Sequence, residues 1–277
     1  MYVEKITNLR SISNMVEQSE LIKDFLGNTK EYNHVQAYWF PYNKKAYLLK
    51  RKETMDTINT NKISKSISNF FLSIVSNYIY PNLLKLIKGG SNFNKIITRL
   101  LSFLFYRLLP NEDFIDDKPS SLVESFTRNP WENLNEGEII TTTDNFDSII
   151  SELSQFFLDN LKSSEIFLEF PVHIRTVKYD KNYLSPFYSD EERVFIALGF
   201  PNIPNEPEDI YKGIVAIFDK FNGTALTRFH LGKNIPLNIS AESIHQRYPM
   251  IKKWKEVYNQ FNKKKILTNE FVVKYLN

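Results

Sequence analysis

Apolar residues recur along this chain in two rhythms. From His34 to Phe40 and from Lys45 to Lys52 they keep the short period of a strand on either side of Pro41-Tyr42-Asn43-Lys44, which predicts a β-hairpin. Ahead of it, Ser13 to Phe25 reads as a helix with Ser13 as N-cap and Gly27 as the stop. Between about Ile63 and Leu109 apolar positions three and four apart predict two long helices separated by Gly89-Gly90, with Pro81 kinking or ending the first. An acidic loop from Asn111 to Lys118 leads to a short helix at Ser121 to Phe126 and a loop through Trp131 to Glu138.

The second half has more strands. Ile139 to Thr142 is a short one, and Thr143 or Asp144 caps a helix to Leu161 whose apolar residues Phe146, Ile149, Ile150, Leu153, Phe156 and Phe157 keep helical spacing. Strands are expected at Ile166 to Phe170, Val172 to Tyr179, Arg193 to Phe200, Ile210 to Phe218 and Ala225 to Leu231. An extended loop runs from Pro201 to Pro207, and Phe221-Asn222-Gly223 is a turn. Helices near Ala241 to Arg247, Met250 to Lys264 and Asn269 to Tyr275 close the chain.

The expected class is therefore α+β. A helix-rich N-terminal half with a β-hairpin precedes a strand-rich C-terminal half with a mainly antiparallel sheet and C-terminal helices. The boundary falls in the loop around Asn129 to Glu138, giving regions 1–135 and 136–277, with one continuous domain as the alternative.

Composition narrows the class without naming a function. With 277 residues, 42% hydrophobic and 24% charged, the chain can bury a core of its own. It has no cysteine, which excludes disulfides, thiolate metal sites and cysteine nucleophiles. The start, Met1 to Ile6, lacks the basic and apolar blocks of a signal peptide. The uncharged stretch Ser66 to Leu84 is too rich in Ser and Asn to face lipid. A soluble, intracellular, cytoplasmic protein with no transmembrane segment is expected.

The chemistry-bearing motifs are few. Glycine loops for nucleotides, paired metal histidines and the nucleophile elbow are all missing. The histidines are His34, His173, His230 and His245, none at metal-ligand spacing, so neither a metal nor a cofactor is expected. One pattern has chemical interest. His173 and Arg175 stand two apart on a predicted strand, as do Arg228 and His230, so each pair leaves one face. Were the strands adjacent, two imidazoles and two guanidiniums would converge, able to hold a phosphate and move protons. The competing reading makes them the solvent face of half-buried strands, with Phe229 and Leu231 in the core.

Two further segments suggest contact surfaces. Arg247, Lys252, Lys253, Lys255, Lys263, Lys264 and Lys265 stand against Glu256 alone, a basic stretch suited to nucleic acid or an anionic surface. Its Trp254, Val257, Tyr258 and Phe261 share one helix face and are expected to dock on the body of the protein while the lysines stay solvated. In the helix pair, the uncharged stripe Ser66, Asn69, Ser73 and Asn77 and the widened apolar face with Phe103 and Phe105 suit burial against a core or a partner. These observations favour a non-catalytic protein-interaction or assembly component, with protein partners that include a second copy of the chain. The alternative is an enzyme acting on a phosphate-bearing substrate, nucleotide or nucleic acid, through His173, Arg175, Arg228 and His230.

Overall fold

Strand pairing, rather than helix packing, organises the N-terminal half. The structure is a computed structural model describing residues 7–59, 111–117, 134–163, 171–201, 208–236 and 239–276, with isolated positions between 99 and 109. Its elements are β1 (Asn8–Glu17), α1 (Gln18–Glu31), β2 (His34–Phe40), β3 (Lys45–Thr54), β4 (Glu112–Asp117), β5 (Leu134–Thr142), α2 (Phe146–Ser163), β6 (Val172–Val177), β7 (Arg193–Pro201), α3 (Glu208–Asn222), β8 (Arg228–Phe229), α4 (Ala241–Arg247) and α5 (Ile251–Phe261). A short π-helical segment, Val272–Leu276, ends the described chain. The strands form one antiparallel sheet in the order β4-β1-β3-β2-β6-β7-β5-β8.

This corrects the expected fold class. The N-terminal half is not helix-rich: among the described residues it supplies four strands of the sheet and one complete helix. Asn8–Glu17 is a strand because it pairs along its length with β3, with Leu9, Ser11 and Ser13 alternating onto one buried face, that of Tyr47. The helix begins only at Gln18 and runs through Gly27, burying Leu21 and Phe25 four residues apart. The acidic segment expected as a loop is strand β4. In the C-terminal half, the segment from Ile210 to Phe218 is helical, because Ile210, Ile214 and Phe218 fall on one buried face. The hairpin around Pro41 is present as β2 and β3, with Lys44 taking the left-handed conformation at the turn (φ 52°). The expected helices over residues 63–98 and 121–126, the strand over 166–170 and the stripe Ser66, Asn69, Ser73, Asn77 lie outside the described residues. Among the described residues no helix is long and apolar enough to cross a membrane.

One side of the sheet carries the larger core, and Ile140, Phe195 and Ala197 form a smaller buried cluster on the other. Register aligns Leu48, Ala37, Ile174, Ile196, Ile139 and Phe229 in a row across six strands, and all are buried. Helices α1, α2 and α3 cover that row with Leu21, Phe25, Phe146, Ile150, Leu153, Phe157, Ile214 and Phe218. Trp39 of β2 packs on Phe157 with ring centroids 5.9 Å apart, and Phe25 stacks on Phe146 at 5.2 Å. The Trp39 Nε1 donates to Gln18 Oε1 at 3.0 Å, and Ser154 Oγ donates to the same oxygen, so α1, α2 and β2 share one polar knot. At one end of the sheet, Asn59 lies along β4, its Oδ1 accepting from the Ile115 N–H (2.6 Å) and its N–H donating to the Ile115 carbonyl (3.1 Å).

Gly137 on β5 is a packing glycine. A Cβ there would stand 2.6 Å from the buried Tyr211 hydroxyl, which donates to the Asn234 carbonyl. Gly137→Ala is expected to displace that ring and destabilise the fold by about 1–3 kcal/mol in urea denaturation. In a Tyr211→Leu background, which removes the clashing atoms, most of that cost should disappear. Additive effects would show that the ring moves freely.

A candidate active site on the sheet face opposite the helices

Alternation puts the residues next to the core row on the opposite face. There Tyr47, Tyr38, His173, Ala197 and Glu138 run in register across β3, β2, β6, β7 and β5. The adjoining row holds Gln36, Arg175, Phe195, Ile140 and Arg228. His173 and Arg175 thus share the face away from the helices, as a two-residue spacing demands.

His173 is fixed from three sides. Tyr38 stacks on its ring (4.8 Å between centroids, planes 11° apart), Phe195 meets it edge-on at 5.9 Å, and Gln36 Oε1 lies 3.3 Å from Nε2. Arg175 lies over the Phe195 ring with its guanidinium carbon 4.2 Å from the centroid, and its side chain is exposed. Two strands away is Glu138, with only the methyl of Ala197 between it and His173 in the register. Burial raises the Glu138 pKa above the ordinary carboxylate value, and the charges of His230, Lys233 and Arg175 oppose the rise in part. Lys233 pairs with Glu136 and reaches Glu138 at 3.8 Å. His230 follows β8, its backbone N–H donating to the Glu138 carbonyl (3.1 Å) and its Nδ1 accepting from the Gly232 N–H (3.2 Å).

The four expected strand residues therefore share one face without converging. Three strand intervals separate His173 from His230. Arg228 is withdrawn beneath the loop after β6: its Nε donates to the Arg247 carbonyl at 2.7 Å, and its Nη1 to the Pro186 and Tyr188 carbonyls. Burial, then the nearby Arg193, lower its pKa to about 10. Arg247 is also buried, its guanidinium gripping Asp219 through two bonds of 2.9 and 2.7 Å and the Thr227 carbonyl at 2.7 Å. Only the lysines of the basic stretch remain toward solvent, with Lys252, Lys253, Lys263, Lys264 and Lys265 exposed and Lys255 partly covered. Of the aromatics beside them, Trp254 and Tyr258 are half-buried, while Val257 and Phe261 are exposed, so the face expected to dock does so only in part.

Sequence reasoning missed Glu138, Glu136, Tyr38 and Lys233. The alternation Glu136-Gly137-Glu138 is the signal that the strand begins before Ile139, since both carboxylates leave one face.

Comparison with known proteins places this sheet. Residues 1–275 match the model of the D-arabinono-1,4-lactone oxidase family. The chain belongs to that family. No curated protein matches the sequence significantly. Among solved structures, cholesterol oxidase from Brevibacterium sterolicum superposes with a TM-score of 0.65 at 16% identity, covering 98% of this chain and 60% of the other. Xylooligosaccharide oxidase from Myceliophthora thermophila, solved with xylobiose, gives 0.52 at 9% identity, covering 98% and 56%. Carbohydrate oxidase from Microdochium nivale, solved with a substrate analogue, gives 0.51 at 8%, covering 98% and 56%. The likeness is one of fold, and this chain spans between 56% and 60% of the length of those three oxidases. Membership of an oxidase family overturns the reading as a non-catalytic interaction or assembly component, and it displaces the phosphate-substrate alternative.

Two stability measurements check the electrostatics. Asp219→Ala leaves Arg247 buried without its carboxylate and should cost about 3–5 kcal/mol, because a lone buried charge keeps its desolvation penalty. Lys263→Gln, on the surface, should stay within about 0.5 kcal/mol. For Glu138 the raised folded pKa gives the sign. Its contribution to stability is complete below the ordinary carboxylate pKa and is lost as pH rises through the higher folded value. Glu138→Gln should therefore raise the melting temperature at neutral pH and flatten the profile there. A lower melting temperature at neutral pH would mean that the contacts of the ionised carboxylate outweigh its burial.

Proposed function

We propose that this chain forms the substrate-binding and proton-handling part of an oxidoreductase that oxidises a hydroxyl carbon of a small polyol or sugar lactone. The observation that carries the reading is the row Tyr38, His173, Glu138 on the face opposite the helices, with Arg175 exposed beside it and Glu138 buried. Aromatic rings next to fixed hydrogen-bonding groups suit a polyhydroxylated ligand, whose C–H faces lie on rings while its hydroxyls are held at the edges. Family membership supports oxidation as the reaction.

Oxidation of an alcohol carbon removes a hydride from carbon and a proton from oxygen. A bound acceptor of the flavin class would supply the hydride chemistry. At Gly137 and Gly213 the rings of Tyr211 and Phe156 fill the space a phosphate would need, so a cofactor of that class would be held elsewhere than at those two positions.

The proton is what the face opposite the helices handles. Gln36 Oε1, 3.3 Å from His173 Nε2, orients the imidazole that is assigned to take the hydroxyl proton. Arg175, standing two residues on, donates to a substrate oxygen and favours its developing negative charge. Glu138, whose burial works against its charged form, borders the ligand from the far side of Ala197. His230 lies beside the Glu138 backbone, where it borders the same ligand.

Calorimetric titration of the full chain with D-arabinono-1,4-lactone tests the reading. Arg175→Ala should weaken binding roughly tenfold or more, as loss of a charge-assisted hydrogen bond predicts. With a flavin and an electron-accepting dye supplied, His173→Ala should lower turnover by about 10²–10⁴-fold and leave lactone affinity within a few-fold. Wild-type binding that neither substitution changes would place the substrate elsewhere.

A further inference from the structure

The end of the chain carries a feature that the sheet face does not use. After α5 the backbone turns through Asn262 and Thr268 before the last helical segment, and this turn is tied from within. Asn262 is buried. Its Oδ1 accepts from the Leu267 N–H (2.8 Å), its Nδ2 donates to Thr268 Oγ1 (2.8 Å), and its carbonyl accepts from the Lys265 N–H (2.9 Å). The Tyr258 hydroxyl meets Thr268 Oγ1 at 2.7 Å, and Lys265 takes a left-handed conformation (φ 56°). An ordered loop of this kind aims its side chains.

The side chains it aims outward are apolar. Phe261 is 77% exposed, Ile266 78% and Leu267 59%, and Lys263, Lys264 and Lys265 stand between them in solvent. A turn held by four hydrogen bonds with three large apolar side chains in water is stabilised by whatever covers them. The interleaved lysines select a cover that is negatively charged, with only Glu256 opposing six lysines between Ile251 and Lys265.

We infer that the Phe261–Leu267 turn is a membrane-surface anchor, seating Phe261, Ile266 and Leu267 among acyl chains while Lys263, Lys264 and Lys265 meet anionic headgroups. Long lysine stems let the ammonium groups reach the phosphate level as the apolar side chains enter. The alternative partner, a nucleic acid, is disfavoured by the same residues. Ile266 and Leu267 cannot stack on bases. Trp254 and Tyr258 are half-buried and stacked on each other (4.8 Å between centroids), and no arginine follows Arg247 to grip phosphates bidentately. This inference is independent of the oxidoreductase reading, since no residue of the candidate site takes part.

Cosedimentation of the full chain with vesicles is the test, using phosphatidylcholine alone or with about a third phosphatidylserine. Binding is expected to the anionic vesicles, weakening as salt rises, and not to phosphatidylcholine alone. The double variant Ile266→Asn, Leu267→Asn should bind roughly tenfold less or worse with an unchanged circular dichroism spectrum. Replacement of Lys263, Lys264 and Lys265 by Gln should remove the preference for anionic lipid. Three results would overturn the inference. The first is wild-type protein left in the supernatant with both vesicles. The second is an apolar variant that binds as wild type does. The third is single-stranded polyuridylate capturing the chain while the vesicles do not.

Discussion

The structure depends on a sheet that, among the described residues, takes its helices on one side. Helices α1, α2 and α3 press on the row from Leu48 to Phe229, and each of its large side chains contributes about 1.5–3 kcal/mol on leaving water. Because side chains alternate along a strand, that burial also determines which residues occupy the other face. A slip of one residue in β6 would send Val172 and Ile174 to the other side and press His173 and Arg175 against the helices. The energy that specifies the core therefore specifies the candidate site, and no separate device is needed to aim its side chains.

That coupling explains what the sequence reveals and what it conceals. The hairpin is legible because Pro41 and Lys44 punctuate two alternating runs, and the shared face of His173 and Arg175 needs only the period of a strand. β1 is concealed because Ser11 and Ser13 are buried beside Leu9 on the face opposite the helices, so polar residues fill buried positions and the alternation looks weak. In α3 the run Ile214-Val215-Ala216-Ile217-Phe218 is β-branched and apolar, and tertiary burial of one helical face overrides that local preference. Glu138 escapes notice because its strand starts with polar residues and a glycine, which locally look like a loop. The chemistry is harder to read than the fold. Reactive groups from β2, β5 and β6 meet only through register, so no contiguous motif records them.

Arg228 and Arg247 show how one residue type divides between roles. Spacing alone makes both look available to an anion. In the fold, Arg247 ties α4 to Asp219 of α3 and to the carbonyl before β8, while Arg228 fills its donors with carbonyls of Pro186, Tyr188 and Arg247. A guanidinium already bonded to protein oxygens has little left for a ligand. Arg175, resting on the Phe195 ring, is exposed, so burial sets it apart from the two scaffolding arginines.

The acidic strand at the margin of the sheet has a consequence of its own. Among the described residues β4 is the outermost strand at one end, and Glu112, Asp113, Asp116 and Asp117 crowd its six positions while Asn59 occupies both backbone groups of Ile115. Asp113 already pairs with Arg10 and Asp116 is buried, so the acidic side chains of this margin are engaged within the fold, and a strand offered to it would meet a central hydrogen-bonding position already filled. Among the described residues the opposite margin, β8, is two residues long and gives a foreign strand little to grip. Occupied backbone groups at one rim and brevity at the other work against edge-to-edge addition of a second sheet.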